Sequence, residues 1–463
     1  MNSNFSTYQS PFTWRYGSPV MRHLFSEVHK YELWRSMWVA LATEEYSAGL
    51  VTKKELDDLV AHEHEIDIER ILEIEKETNH DVVAAVKEFA EKCHIGGGKI
   101  HFGATSMDIS DNAEMIRMKE GIEQIEIRLK TILIKFSEQM DKTAEIVCMG
   151  YTHLQPAEPT TIGYRLAFYA QDLLTDFEYI RFVKKTLKGK GMKGAVGTRA
   201  SYQELLEGTD KTAESLDQGV MKKIGIDGDL IATQVYSRKY DYIVATCLAS
   251  IASSLAKFAS DLRILQSPAF GEWAEPFGKT QVGSSAMPFK KNPIQSEKIC
   301  SLARYVCQLP QVLLENATLS HLERTLDDSA NRRIVLSELF LAVDEILITA
   351  EKLVKGIVFQ KERITFNVNQ FGPFSASESI LIALVKQGAD RQEMHEMLRT
   401  IAMKAWKDIQ NGKENPMSTM LLHDGTIRRY ISEEQLKKLL IVSNHVGDAP
   451  ARVQKVIQKI KQL

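Results

Sequence analysis

Residues 241–266 read DYIVATCLASIASSLAKFASDLRILQ. Apolar and small side chains fall on every side of a 3.6-residue period, the pattern of a helix buried all round. Such a helix needs neighbours on each face, so other long helices, and helices of other subunits, are expected to cover it. Its longest uncharged stretch, Tyr242–Ala256, is fifteen residues rich in Ser, Ala and Thr. That reads as too short and too polar to span a bilayer. Outward from it, long helical patterns cover Asn112–Cys148, Thr161–Leu187 and Asn331–Lys355. The chain of 463 residues holds 26 Gly and 12 Pro, against about 32 and about 23 at average usage. Scarce punctuation favours long helices over many strands, and the expected fold class is all-α.

The flanking regions differ. The first hundred residues carry shorter amphipathic helices at Glu32–Gly49, Lys53–Ala61 and Ile66–Lys76, closed by the break Gly96-Gly97-Gly98. The last hundred read as short charged helices broken at Pro373, Gly388, Pro416 and Gly425. These shifts suggest an N-terminal helical domain over 1–111, a central long-helix domain over 112–360, and a C-terminal helical domain over 361–463. Inside the central domain, 271–293 (GEWAEPFGKTQVGSSAMPFKKNP) has no sustained period. A connector that long in a compact protein is usually functional or disordered. Flexible Gly283–Ala286, stiff Met287-Pro288 and the cations Lys290-Lys291 suit a mobile lid.

Composition excludes several classes. Lys and Arg total 58 against 61 Asp and Glu, leaving no basic surplus for nucleic-acid binding. Five cysteines without a CxxC pair read as reduced thiols rather than a disulfide framework or zinc site. The opening MNSNFSTYQSPFTW lacks the basic start and apolar core of a secretory signal, so the expected location is the cytoplasm. His62 and His64 lack the spacing of a helical zinc motif, and no metal site is expected there. The glycine-rich loop Gly189–Gly197 follows a helix rather than a strand, so a dinucleotide fingerprint fails its context test.

Four constellations could carry chemistry. In GSSAMPFKKNP (283–293) a serine hydroxyl on a tight turn could be a nucleophile or base, with Lys290 and Asn292 aimed at an anion; the alternative is a flexible surface loop. Neither a P-loop nor a nucleophile elbow matches it. In YTHLQPAEPTT (151–161), His153 sits among hydrogen-bonding groups just before an expected helix start at Pro159-Thr160-Thr161. It could be catalytic or structural. Thr78-Asn79-His80-Asp81 opens a helix, where capping by Asp81 is the simple explanation and a ligand contact by His80 the sharper one. Thr105 and Ser106, before Asp108, offer either a cap or an anion site. In ERTLDDSANRR (323–333), Ser329 and Arg333 share one helical face. That segment is either a solvated ion-pair face with Asp327 and Asp328 or a phosphate site built on arginine forks.

Together these segments, with SRKYD following Gln234, resemble the fumarase/aspartase superfamily and, within it, the animal-type adenylosuccinate lyase family. The similarity runs from Arg15 to about Arg452. The resemblance implies an all-α homotetramer whose elongated core of twenty helices takes five from each subunit, with smaller helical domains at each end and active sites shared by three subunits. It implies two β-eliminations in purine biosynthesis: adenylosuccinate to AMP plus fumarate, and SAICAR to AICAR plus fumarate. A base removes the proton next to a carboxylate, an aci-carboxylate carbanion forms, and an acid protonates the departing nitrogen. No cofactor, metal, nucleic acid or membrane is implied.

Carried over by motif, the resemblance makes Ser284 the base rather than its neighbour Ser285, and His153 the acid. Lys290 and Asn292, assisted by Thr105 and Ser106, hold the succinyl carboxylates. Asn79, His80 and Asp81 lie on the substrate's phosphate side, with His80 helping to orient His153. Arg15, Tyr16, Arg324, Ser329 and Arg333 hold phosphate and ribose, and Gln234 the substrate's polar edge. His101 and Glu297 give support. Lys298, counted among the substrate-binding positions, stands where the family more usually has Arg, and Phe289 where it more usually has Tyr.

Overall fold

The computed structural model describes residues 6–463. They form helices almost throughout, with two short two-stranded sheets. The chain divides into two compact units: residues through Arg128 with Asp176–Ser253 and Ser301–Ile348, and Leu129–Thr175 with Ser254–Cys300 and Thr349–Leu463.

In the first unit, local chemistry sets the helix starts. Helices α1 (Pro11–Trp14) and α2 (Pro19–Leu24) each begin with a proline behind a serine, Ser10 or Ser18, whose hydroxyl accepts from a backbone N–H of the first turn. Ser26 does the same for α3 (Glu27–Ser47), which therefore starts before the Glu32 read from periodicity. A capping box of Thr52 and Glu55 opens α4 (Lys53–Ala61). Helices α5 (Ile68–Thr78) and α6 (Asp81–Lys92) follow. Their apolar faces meet α3 in a core of Trp34, Trp38, Leu41, Ile71 and Phe89.

Helix α7 (Ser106–Thr143) starts at Ser106 rather than Asn112. Asp108 explains this, because its carboxylate accepts from Thr105 N while its own N–H reaches Thr105 O. The chain then forms strands β1 (Val147–Thr152) and β2 (Gln155–Thr161), an antiparallel hairpin that an all-α expectation did not include. Thr160 and Thr161 thus belong to a strand, and α8 (Ile162–Thr186) begins one residue later. Two short helices, α9 (Ala200–Leu205) and α10 (Ala213–Ile224), precede α11 (Lys239–Gln266).

Val244, Leu248, Ile251, Leu255 and Leu262 of α11 are fully buried, whereas Ser253 and Lys257 are exposed. Half of its most apolar stretch is buried within the chain, so the all-round burial read from the sequence is not met by this chain alone. By length and composition α11 is also apolar enough to cross a membrane, with a mean hydropathy of 1.5 over eighteen residues. The fifteen-residue limit read from the sequence was too strict, because a single Lys257 does not break that average.

A two-residue strand β3 (Trp273–Ala274) pairs with β4 (Val358–Phe359), so 271–293 is not wholly irregular. Helices α12 (Ile294–Val306), α13 (Leu309–Thr318) and α14 (Asp328–Gly356) complete the middle of the chain. In the second unit α15 (Lys361–Lys386) runs straight through Pro373, which is buried inside the helix and does not break it. Helices α16 (Arg391–Gln410), α17 (Met417–His423), α18 (Ile427–Tyr430) and α19 (Glu433–Leu439) pack with α15 around Ile380, Leu384, Leu398 and Leu421, and α20 (Ala449–Lys461) closes the chain.

One buried group opposes the fold at high pH. Glu45 of α3 is fully buried, and neither carboxylate oxygen meets a protein hydrogen-bond partner. Burial pushes its pKa from 4.5 up to about 8, with Lys99 pulling weakly the other way. Between those values the folded state holds a proton that the unfolded chain releases, so stability falls as pH rises through that window. Glu45→Gln mimics the protonated acid. It is expected to flatten a decline of a few kcal/mol, read as a smaller loss of Tm between pH 5 and pH 8.5 than in the wild type.

Candidate active site

Most of the expected phosphate-side residues lie in the first unit, around a buried ion network. Arg238 sends Nε to Asp328 Oδ2 at 2.7 Å and Nη1 to both oxygens of Asp111 at 3.1 Å. Arg332 reaches Asp241 Oδ2 at 2.7 Å and the Tyr236 hydroxyl at 2.6 Å, and Tyr236 donates to Asp241 Oδ1 at 2.5 Å. Asp328 is therefore not part of a solvated face: it is buried and paired. Removing one partner of such a pair strands a charge out of water, which typically costs about 3–5 kcal/mol.

This network holds the segment that carries the candidates. Gln234 N–H donates to Glu323 O at 3.2 Å, fixing the start of ERTLDDSANRR. Arg324 is half-buried in the loop before α14, and its Nη1 is buried without a hydrogen-bond partner. Burial, with repulsion from Arg238 and Arg332, lowers its pKa, while Asp328 and Asp111 act the other way. Ser329 and Arg333 follow in the first turns of α14. Arg333 extends into solvent and meets Asp81 Oδ2 at 2.9 Å.

That ion pair brings the 78–81 segment to α14. Asn79 adopts a left-handed conformation (φ 51°) that ends α5. The residue capping α6 is His80, whose Nδ1 accepts from Val83 N at 3.4 Å, and not Asp81, whose carboxylate binds Val82 N and Arg333. The capping explanation thus belongs to the histidine. His101 also has positive φ, and its Nδ1 accepts from the Trp38 indole at 3.0 Å. Burial lowers its pKa, so it stays neutral with the proton on Nε2. Thr105 precedes α7 and Ser106 is its first residue. Arg15 and Tyr16 end α1, and the next two residues are tied to α14 by Gly17 N–Glu345 (3.1 Å) and Ser18 N–Asp344 (2.6 Å).

The acid and base candidates lie in the second unit. His153 and Leu154 form the two-residue tip of the β1–β2 hairpin, with φ of 54° and 60°. Two left-handed residues fit the turn type that matches strand twist, yet neither is the usual Gly or Asn. Such strain, about 1–2 kcal/mol per residue, marks functional tips. Both side chains are exposed. The hairpin is held two residues before its tip by Glu272, fully buried, which accepts from Tyr151 OH (2.8 Å), Arg165 Nη1 (3.3 Å) and Asn367 Nδ2 (2.9 Å). Burial, then the Glu272 charge, raises the Tyr151 pKa and keeps it a donor.

Glu272 also opens the lid. Further along, Ser284 is half-buried and Ser285 exposed. Ser284 Oγ accepts from the backbone N–H groups of Ala286 (3.3 Å) and Met287 (3.1 Å). Asn292 Nδ2 bonds to Gly283 O at 3.0 Å, closing the lid on itself. A Cβ on Gly283 would lie 2.2 Å from Lys290 O, so only glycine fits there. Lys290 and Phe289 are exposed, and Lys298 is half-buried. Buried Glu275 caps α12 by accepting from Ser296 N (2.6 Å) and Gln295 N (3.2 Å), with Glu297 exposed in the same first turn. Among the described residues no hydrogen bond joins His153 to the Ser284 segment. Sequence reasoning missed the supports Asp111, Arg238, Glu272 and Glu275; the only signal for them was an acidic or basic residue inside an otherwise assigned motif.

Comparisons with known proteins fit this arrangement. A family model described as Lyase matches residues 18–307, and one described as Adenylosuccinate lyase C-terminus matches 373–456. The chain is 37% identical to an adenylosuccinate lyase of Schistosoma mansoni, covering 91% of this chain and 88% of that one. It is 35% identical to the Saccharomyces cerevisiae adenylosuccinate lyase, covering 98% and 95%. Among solved structures, 3-carboxy-cis,cis-muconate lactonizing enzyme from Pseudomonas putida superposes with a TM-score of 0.86 at 22% identity, covering 98% and 99%. A fumarate lyase from Mesorhizobium sp. BNC1 gives 0.84 at 21% identity, covering 98% and 99%, and these two likenesses concern the fold. The fold and the matched model define a lyase with the fumarase-like all-α architecture. Within that class, the chain belongs to the adenylosuccinate lyase family.

The geometry separates supporting charges from available ones. Arg238→Ala and Glu272→Ala are each expected to cost about 3–5 kcal/mol in denaturant unfolding, because each strands buried charges. Arg333→Ala, at an exposed pair, is expected to cost under about 1 kcal/mol.

Proposed function

We propose that this chain is an adenylosuccinate lyase that cleaves adenylosuccinate to AMP and fumarate, and SAICAR to AICAR and fumarate. Family membership supports the substrate class. The observation that carries the phosphate end is Arg324, a half-buried guanidinium in the loop before α14 whose buried Nη1 meets no protein acceptor. An anion from the substrate is the natural partner. Arg15, Tyr16, Ser329 and Arg333 would share that phosphate and its ribose, with Asn79, His80 and Asp81 beside them and Gln234 on the substrate's polar edge.

At the other end Ser284 acts as base. Serine is poorly suited to this unless its alkoxide is stabilised, and the two N–H groups of Ala286 and Met287 already point at Oγ. Lid closure removes water, and Lys290, Asn292 and Lys298, with Thr105 and Ser106, absorb charge on the carboxylate that becomes the aci-carboxylate. Exposed at a strained tip, His153 protonates the departing nitrogen. His101 and Glu297 support these groups.

The active unit is a homotetramer in which three subunits build each site, with His153 and Ser284 coming from different chains. The exposed small-residue face of α11 supports this, since its apolar pattern asks for partners that one chain does not supply. Within each chain we assign 1–111, 112–360 and 361–463 as terminal, central and terminal domains. Five free cysteines, four of them buried, support a reducing cytoplasmic setting.

The purified protein is expected to consume both succinyl substrates and release fumarate in an absorbance assay. Ser284→Ala and His153→Ala should each lower kcat by at least about 100-fold while leaving the oligomer intact. Arg324→Ala should raise KM for the phosphorylated substrates by about 10–100-fold, the equivalent of one or two charge-assisted hydrogen bonds. No turnover of either substrate by folded oligomer would refute the assignment.

A further inference from the structure

We propose that His23, His29 and Glu32 form a binding site for one divalent transition ion of the zinc class, with Glu120 fixing the orientation of His29. His23 lies in the last turn of α2, while His29 and Glu32 share one face of α3 at i and i+3. Ser26 caps the corner between the two helices, and Phe25 stacks on Phe340 with ring centroids 4.9 Å apart. The corner is thereby held rather than left loose.

One donor atom from each of the three side chains lies within 4.8 Å of the others. His29 Nδ1 is 3.5 Å from Glu32 Oε2. Two ligands of a tetrahedral zinc, each about 2.0–2.1 Å from it, stand about 3.3 Å apart, so this edge is already close to the required length. His23, the third donor, is exposed. The ring of His23 sits 5.3 Å from that of His29, tilted by 44°.

The second nitrogen of His29 supplies the strongest argument. Nε2 lies 2.7 Å from Glu120 Oε2 on α7. In the neutral tautomer that donates Nε2–H to that carboxylate, Nδ1 is the lone-pair nitrogen, 3.5 Å from Glu32 Oε2. This is the carboxylate–histidine arrangement that fixes the tautomer of a metal ligand and makes it more basic. Of the cations facing the cluster, Arg117 is already committed to Leu24 O (3.0 Å) and Glu114 (2.9 Å). Two imidazoles and one carboxylate are the donor set of an open zinc site, with a position left for water. The spacing His23-x5-His29-x2-Glu32 matches no common metal motif, because its ligands come from two helices.

The test is titration of untagged, chelator-treated protein with zinc chloride by calorimetry, repeated with cobalt(II) followed by its visible absorption. The expected result is one saturable site per chain, with cobalt bands of low-coordinate geometry and a Tm that rises with zinc. His29→Ala and, separately, the exposed His23→Ala should weaken zinc binding by at least about 10-fold, and Glu120→Gln by about 10–100-fold, as for other carboxylate supports of metal-bound histidines. His62→Ala, at the separate His62/His64 pair, should leave the affinity unchanged. Absence of a saturable site in the wild type, or equal affinity in the folded His23 and His29 variants, would overturn the proposal and leave His29 as an ion pair between two glutamates.

Discussion

A carboxylate that is removed from water must be met by donors, and Glu272 shows how far that requirement organises the second unit. Its side chain is fully buried, and three elements converge on it: the hairpin through Tyr151, α8 through Arg165 and α15 through Asn367. Leaving any donor out would strand charge in a low-dielectric interior. One anchor therefore ties the tip-proximal part of the His153 hairpin to the start of the 271–293 segment. The first unit uses the same device twice. Asp108 gathers Lys190, Gly194 N and Tyr202, and Asp111 gathers Arg238 and Tyr236 N.

Beside these anchors, the candidate functional groups are held on exposed or partly open segments. His153 sits exposed at a strained turn, Arg324 keeps a buried nitrogen without an acceptor, and Ser284 Oγ is held by the backbone N–H groups of Ala286 and Met287 in a local serine turn.

Much of this was legible in the sequence because helical period, caps and motif order are local properties. The long irregular connector over 271–293, the long helices, and the nearness of Asp81 to Arg333 could be anticipated from motifs and their order. The hairpin could not, since Val147–Thr161 holds two prolines and a histidine tip, and only pairing across the strands and packing against α15 makes it regular. Nor could Pro373 be placed inside a helix, because propensity predicts a break that tertiary burial overrides. The supporting acids were invisible for a similar reason: Glu272 and Glu275 look like any loop glutamate until distant donors fold around them.

If catalysis joins the imidazole of one subunit to the lid hydroxyl of another, two separately inactive proteins must be able to repair each other. Ser284→Ala and His153→Ala chains, unfolded together in equal amounts and reassembled, would then regain about a quarter of wild-type turnover, since each site draws its acid and its base independently from the mixture. Zero recovery in tetramers verified by mass spectrometry to contain both chains would contradict the shared site.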